Sequence, residues 1–192
     1  MTTTTPTFSA DDAWLRKLYF TRAAFSLAWV ALAFTVARGS MPIARTLLVL
    51  YPAWDALANA VDAQHSGGLA ANSSQALNVA MSAAAAVAMA VAVGRGMPAV
   101  FVVFGAWAVV AGLLQLATAV RRWKHLGAQW PMVLSGAQSA LAGAFFVKQA
   151  SGPEPTLQAL APYAAVGAVY FLVSATVLVL RQRKAARAVV AA

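Results

Sequence analysis

Six apolar runs punctuate the chain, near residues 17–37, 43–63, 76–94, 98–120, 129–148 and 158–180. Each is about 19 to 23 residues long, the length of helix that crosses a hydrocarbon layer of roughly 30 Å. The runs lack the alternation that barrel strands need, so the pattern favours helices as the spanning structure. Breaks separate them: Arg38-Gly39-Ser40-Met41-Pro42, a soft loop from Gly67-Gly68 to Ser73-Ser74, Gly94-Arg95-Gly96-Met97-Pro98, and Ser151-Gly152-Pro153-Glu154-Pro155. The expectation is an all-α, polytopic membrane protein with six transmembrane helices, a single domain over residues 1–192. Residues 1–16 read as a polar N-terminal segment, 17–94 as helices 1–3, 98–180 as helices 4–6 and 181–192 as a basic C-terminal tail.

Composition agrees. The chain is 61% hydrophobic and 10% charged, with a mean hydropathy of +0.71. Soluble domains have roughly 45–50% apolar and 25% charged residues. The net charge of +9 sits mainly in clusters flanking the apolar runs, where it sets topology and meets lipid head groups. No basic, aromatic-laced domain lies outside them, so no nucleic-acid partner is expected. The absence of cysteine excludes disulfides, thiol redox chemistry, iron–sulfur clusters and cysteine zinc sites. The start, MTTTTPTFSADDAW, lacks the positive region of a signal peptide, so the first helix is expected to act as an uncleaved insertion signal. Ser9 and Asp12 have the spacing of a helix cap.

With both termini on one side, ten of the fourteen Lys and Arg residues fall on that side, including Arg16, Lys17, Arg22, Arg121, Arg122 and Lys124. That bias predicts cytoplasmic termini in a bacterial cytoplasmic membrane. The loop 64–75 falls inside yet carries no Lys or Arg. The lipid bilayer is the expected partner, with anionic head groups at Arg121, Arg122, Lys124 and the basic tail; a homo-oligomer is also open. His125 belongs to the same interfacial cluster, and Trp14, Trp123 and Trp130 are expected at the interfaces.

LYPAWDALAN at 50–59 and LSGAQSALAG at 134–143 share five of ten positions, and Ala28-Trp29 matches Ala106-Trp107. Helices 1–3 thus read as a duplicate of helices 4–6, which with three helices per half gives an inverted 3+3 repeat. Gly105, Gly112, Gly136 and Gly143, with Ala108 and Ala140, form small-residue stripes that let helices 4 and 5 approach closely.

The second run is where chemistry is expected. It carries Asp55, Asn59 and Asp62 within about 60° of one another on a helix. An acid at mid-bilayer costs about 2.5 kcal/mol or more, so this face should meet protein, water or an ion. Asp55 reads as a proton carrier, an ion ligand or half of an ion pair, with Arg22 and Arg45 as partners to consider. Pro52 is placed to open the helix before it. Gln75, Asn78 and Ser82 begin the third helix and could complete a polar cluster at one mouth of the bundle. Gln115 and Gln138 are expected to hydrogen-bond across helices, since unsatisfied amides in hydrocarbon are costly. The two histidines, His65 and His125, read as loop residues, which excludes bis-histidine haem ligation. No helical metal motif, nucleophile elbow or phosphate loop occurs, so no metal, cofactor or catalytic residue is expected.

The stretch 104–146 contains Trp107, Gly112, Gln115, Arg121-Arg122, Trp130, Gly136 and Gly143 in order. In this it resembles the HdeD-like, DUF308 family of small bacterial membrane proteins. The resemblance implies a six-helix inner-membrane protein built from repeated hairpins, loosely associated with acid-stress resistance, and it implies no enzyme activity. YPAWDALANAVD departs from that pattern. Three functions follow in order. The first is a non-enzymatic HdeD-like protein linked to acid or stress tolerance. The second is a small proton- or cation-coupled transporter or channel that depends on Asp55. The third is a lipid enzyme that would need Asp55, Asn59 and Asp62 as its ligand set.

Overall fold

The computed structural model describes residues 10–126, 130–152 and 156–190. These form six α-helices: α1 (Ala10–Phe34), α2 (Met41–His65), α3 (Ser73–Arg95), α4 (Met97–Leu126), α5 (Trp130–Gln149) and α6 (Leu157–Val190). No strand occurs among the described residues. Three helical stretches, Ser73–Arg95, Met97–Ala117 and Leu157–Lys184, are long and apolar enough to cross a membrane. Large apolar side chains such as Leu57, Val87, Leu113, Leu141 and Val173 are exposed on the outside of the bundle. A soluble monomer does not normally carry that much apolar surface.

Several boundaries differ from the hydropathy reading. Helix α1 begins at Ala10, inside the supposed polar segment, and α6 runs through the supposed tail to Val190. The extension of α6 has a simple cause: RQRKAARAVV is rich in Arg, Lys and Ala, all strong helix formers. The two extensions meet, because Arg16 donates to the Gln182 side chain. His65 closes α2 and His125 lies within α4, so neither is a loop residue. The Ser9–Asp12 cap falls outside the described side chains. Helix α2 runs on through Pro52, which is fully buried, rather than opening there. Trp29 Nε1 supports the turn just before it by donating to the Leu47 carbonyl at 2.7 Å.

The supposed soft loop is pinned. Gly67 and Gly68 take φ of 94° and 91°, a region that side chains disfavour. Asn72 Nδ2 then donates to the carbonyls of Ser66 at 2.6 Å and Gly68 at 3.0 Å.

Two kinds of seam shape the bundle. Helices α4 and α5 pack most closely, through glycines that oppose each other pairwise. A Cβ on Gly105 would lie 2.6 Å from the Gly143 carbonyl oxygen, and one on Gly143 would lie 2.5 Å from that of Gly105. Gly112 and Gly136 face each other the same way, at 2.5 and 2.9 Å. Backbones this near gain dispersion contacts along the whole seam, which matters where lipid removes the hydrophobic drive. By contrast the α5 and α6 backbones barely touch. Side chains bridge them: Ser139 and Tyr163 share a hydrogen bond of 3.1 Å, and Tyr170 donates to Gln138 Oε1 at 2.9 Å.

The other close pairs are α1 with α6, α2 with α3 and α3 with α4, while α1 and α2 pack loosely. An inverted 3+3 repeat would make α1–α2 resemble α4–α5. Instead the close packing runs from α2 through α3 and α4 to α5, with α6 closing against α1.

The interior has a dry half and a wet half. The dry half gathers Trp29, Tyr51, Phe101, Phe104, Trp107 and Phe146 among the buried ends of all six helices. Several meet edge to face, such as Phe104 with Phe146 at 5.6 Å and 81°. Such pairs add about 0.5–1.5 kcal/mol beyond burial. The wet half, toward both chain termini, holds the cavity described next.

Gly143→Val is expected to cost about 3 kcal/mol or more, because backbone rather than a yielding side chain stands in the way. Gly94→Ala should be neutral or slightly stabilising, since a Cβ there meets nothing within 4 Å. Thermal unfolding in detergent, read side by side, separates the two.

Candidate functional site

A cavity of about 740 Å³ occupies the wet half. It is lined from α1 (Tyr19, Arg22, Ser26), α2 (Tyr51 to Asp62), α3 (Gln75, Asn78), α4 (Trp107, Gln115), α5 (Ser135, Gln138, Ser139) and α6 (Tyr163 to Phe171). It reaches the exposed loop at Ser66 and Ala71–Ser74, and it ends at Tyr51, Trp107 and Tyr163, beside the aromatic core. It therefore opens toward the side that carries both termini.

The helical period of α2 builds the charged wall. Tyr51, Asp55, Asn59 and Asp62 recur at spacings of four and three, so they share one face. Arg22 Nη2 on α1 bonds Asp55 Oδ1, the one salt bridge among the described residues, with the two side chains 14% and 22% exposed. The Arg22 guanidinium also sits over the Phe171 ring, 4.5 Å from its centre, so α6 shares in holding it. The other Asp55 oxygen accepts from Ser82 Oγ at 2.7 Å and Asn59 Nδ2 at 3.1 Å. Ser82 in turn accepts from Trp107 Nε1 at 3.1 Å. One carboxylate thus ties together α1, α2, α3 and, through Ser82, α4. A buried acid requires such partners, since unpaired it would cost several kcal/mol.

Asp62 forms a second centre two turns on. Gln75 Nε2 donates to its Oδ2 and Trp14 Nε1 to its Oδ1 at 3.3 Å. Trp14 stacks on His65 with ring centres 3.5 Å apart, a tertiary contact that joins α1 to the end of α2. No Lys or Arg pairs with Asp62 among the described residues.

The expected residues fall as follows. Asp55, Asn59 and Ser82 meet directly, and Asp62 meets Gln75. Asn78 and Gln115 line the same cavity. Gln138 accepts from Tyr170 at its edge. Of the two candidate cations, Arg22 is the partner of Asp55. Among the described residues, no three His, Asp or Glu side chains come together as a metal-binding group. The side chains of Arg121, Arg122, Lys124, His125 and Trp130 lie outside the described residues.

The sequence reading gave Trp14 only an interfacial place and Trp54 only a place in the repeat, and it did not single out Tyr51, Tyr163 or Tyr170. Tyr51 could have been found by extending the acidic face back four residues. Tyr163, Gly167 and Tyr170 make a similar stripe on α6. Trp14 carries no signal of its contact, which depends on how α1 docks against the end of α2.

These features define an all-helical protein with apolar, membrane-type helices around a polar cavity open on one side. Residues 80–148 match the family model for DUF308, a short repeat of unknown function. No curated protein and no solved structure matches it. The matched stretch contributes Ser82, Trp107, Gln115, Gln138 and Ser139, the neutral wall of the cavity, while Arg22, Asp55 and Asp62 lie before it.

Arg22→Met alone should lose about 3 kcal/mol, because it leaves a buried carboxylate without its counter-charge. Combining it with Asp55→Leu should restore part of that loss, since an apolar pair needs no counter-charge. A double-mutant cycle on unfolding midpoints would show this as non-additivity; strictly additive losses would mean the two groups do not interact.

Proposed function

We propose that this chain is a six-span, non-enzymatic protein of a bacterial cytoplasmic membrane, with both termini cytoplasmic, and that it moves a small polar solute or ion through the cavity around Asp55. The cavity itself carries this reading. A bundle needing only structural hydrogen bonds would leave no open space beside its polar groups, just as the glycine seam between α4 and α5 leaves none. Here polar groups from all six helices surround open space instead. The aromatic core closes the far end, which supports a carrier open to the side of the termini over a continuous pore.

The Arg22–Asp55 pair supplies the moving part. It holds α1 to α2, two helices that otherwise pack loosely. Neutralising Asp55 by a proton, or drawing it onto a cation, would release Arg22 and let α1 move. Proton- or cation-coupled transport is the mechanism that best uses this arrangement. An HdeD-like role in acid or stress tolerance is its proposed setting. The basic residues Arg16, Lys17, Arg181, Arg183 and Lys184 gather near the open end and would hold it against anionic head groups. A lipid enzyme is less well supported, because Asp55 already spends its oxygens on Arg22, Ser82 and Asn59.

In proteoliposomes, Asp55→Asn should reduce proton- or cation-coupled flux at least tenfold while the protein still folds, since the amide keeps the shape but neither titrates nor carries charge. Wild-type flux in that variant would remove Asp55 from the mechanism.

A further inference from the structure

Among the described residues, three charged side chains line the cavity: Arg22, Asp55 and Asp62. Arg22 and Asp55 cancel each other as an ion pair. Asp62 then leaves the lining, with one positive and two negative groups, at a net charge of −1. Asp62 is half-buried and accepts one hydrogen bond on each oxygen, from the neutral side chains of Trp14 and Gln75. Neutral donors support a carboxylate without cancelling its charge, and its remaining lone pairs can take more. A cleft of one sign with low-dielectric walls concentrates ions of the other sign. The basic residues of α1 and α6 do not supply that charge. Arg16, Lys17, Arg181, Arg183 and Lys184 stand outside the lining, and none of them pairs with Asp62.

We infer that the cavity binds a small organic monocation, with Asp62 as its counter-charge and Tyr19 as an aromatic contact. This rests on the transport reading above and names the solute class for it. The net charge of the lining sets the valence at one. Two observations favour an organic cation over a metal ion. Among the described residues, no three His, Asp or Glu side chains gather to ligate a metal. The cavity, about 740 Å³ in volume, also falls within the roughly 300–1,000 Å³ of small-molecule sites. Aromatic rings give such a cation its other partner. Tyr19 on α1 lines the cavity within electrostatic reach of Asp62. It stacks on Phe171 with ring centres 6.1 Å apart. Phe171 already carries one cation, the Arg22 guanidinium 4.5 Å from its centre, so this wall meets positive charge in the structure as it stands. Aromatic rings attract alkylated ammonium groups, which have few hydrogen bonds to give, in the same way.

The test is calorimetric titration of the purified full chain with choline and with 3,3-dimethylbutan-1-ol, which has the same shape and no charge. Choline should bind about tenfold more tightly than the alcohol, or better, since only choline gains from the carboxylate. Asp62→Asn keeps the shape and removes the charge, and should bring choline down to the level of the alcohol. Tyr19→Leu should weaken choline about fivefold, and it serves as the second variant should Asp62→Asn not fold. Equimolar sodium should leave choline bound. Equal binding of choline and the alcohol, no binding of choline, displacement by sodium, or unchanged affinity in the folded variant overturns the assignment. Asp55-dependent flux with no choline binding would discard the solute class and keep the transport reading. Charge-selective choline binding without flux would keep the site and discard transport. Loss of both would discard both.

Discussion

A carboxylate inside an apolar bundle is the constraint to which the rest of the structure answers. Asp55 cannot face lipid, and it cannot face a packed apolar core without a counter-charge. Arg22 supplies that charge from α1, Ser82 and Asn59 take the second oxygen, and Trp107 fixes Ser82 from behind. Phe171 supports the guanidinium from α6. Five of the six helices are thereby oriented around one side chain. The order of these contacts also explains why Trp107 sits on the border of the wet and dry halves. Its ring belongs to the aromatic core and its indole nitrogen to the polar chain leading to Asp55.

The cavity exists because the seams are unequal. Glycines let α4 and α5 touch backbone to backbone, so no space is left there. Tyrosines hold α6 off α5 and span the gap with their hydroxyls. A bundle closed by glycines throughout would have no cavity, and one spaced by aromatics throughout would lose its rigid hairpin. Side-chain size along each seam therefore decides where solvent-sized space lies, independently of which residues are polar.

Much of this was legible in the sequence, and the reasons for the rest are physical. Helix positions followed from run length and Gly/Pro breaks, and the glycine spacing pointed to the α4–α5 seam. The period of α2 gave Asp55, Asn59 and Asp62 one face, and the cost of a buried acid pointed to a partner such as Arg22. The extensions of α1 and α6 were missed because hydropathy marks where a helix leaves an apolar layer, not where its hydrogen bonds end. The order in the Gly67–Ser74 loop was missed because Asn72 holds it through carbonyls, which composition does not reveal. The contact of Trp14 with Asp62 and His65 spans 48 residues or more and depends on docking alone.

The internal similarity takes on a more specific meaning in three dimensions. Aligning 50–59 with 134–143 sets Trp54 against Gln138 and Asp55 against Ser139. All four line the same cavity, α2 supplying one wall and α5 another. Yet α2 packs on α3 and α5 on α4, so the correspondence lies in the faces the helices turn inward rather than in their neighbours. The α5 side is neutral and falls within the DUF308 match, and the α2 side is charged and falls before it. A neutral polar wall can accept many solutes through amides and hydroxyls. Adding Asp55, Asp62 and Arg22 opposite it makes the space charged on one side only. That asymmetry, rather than the repeat, is what separates the two inward faces, one charged and the other neutral.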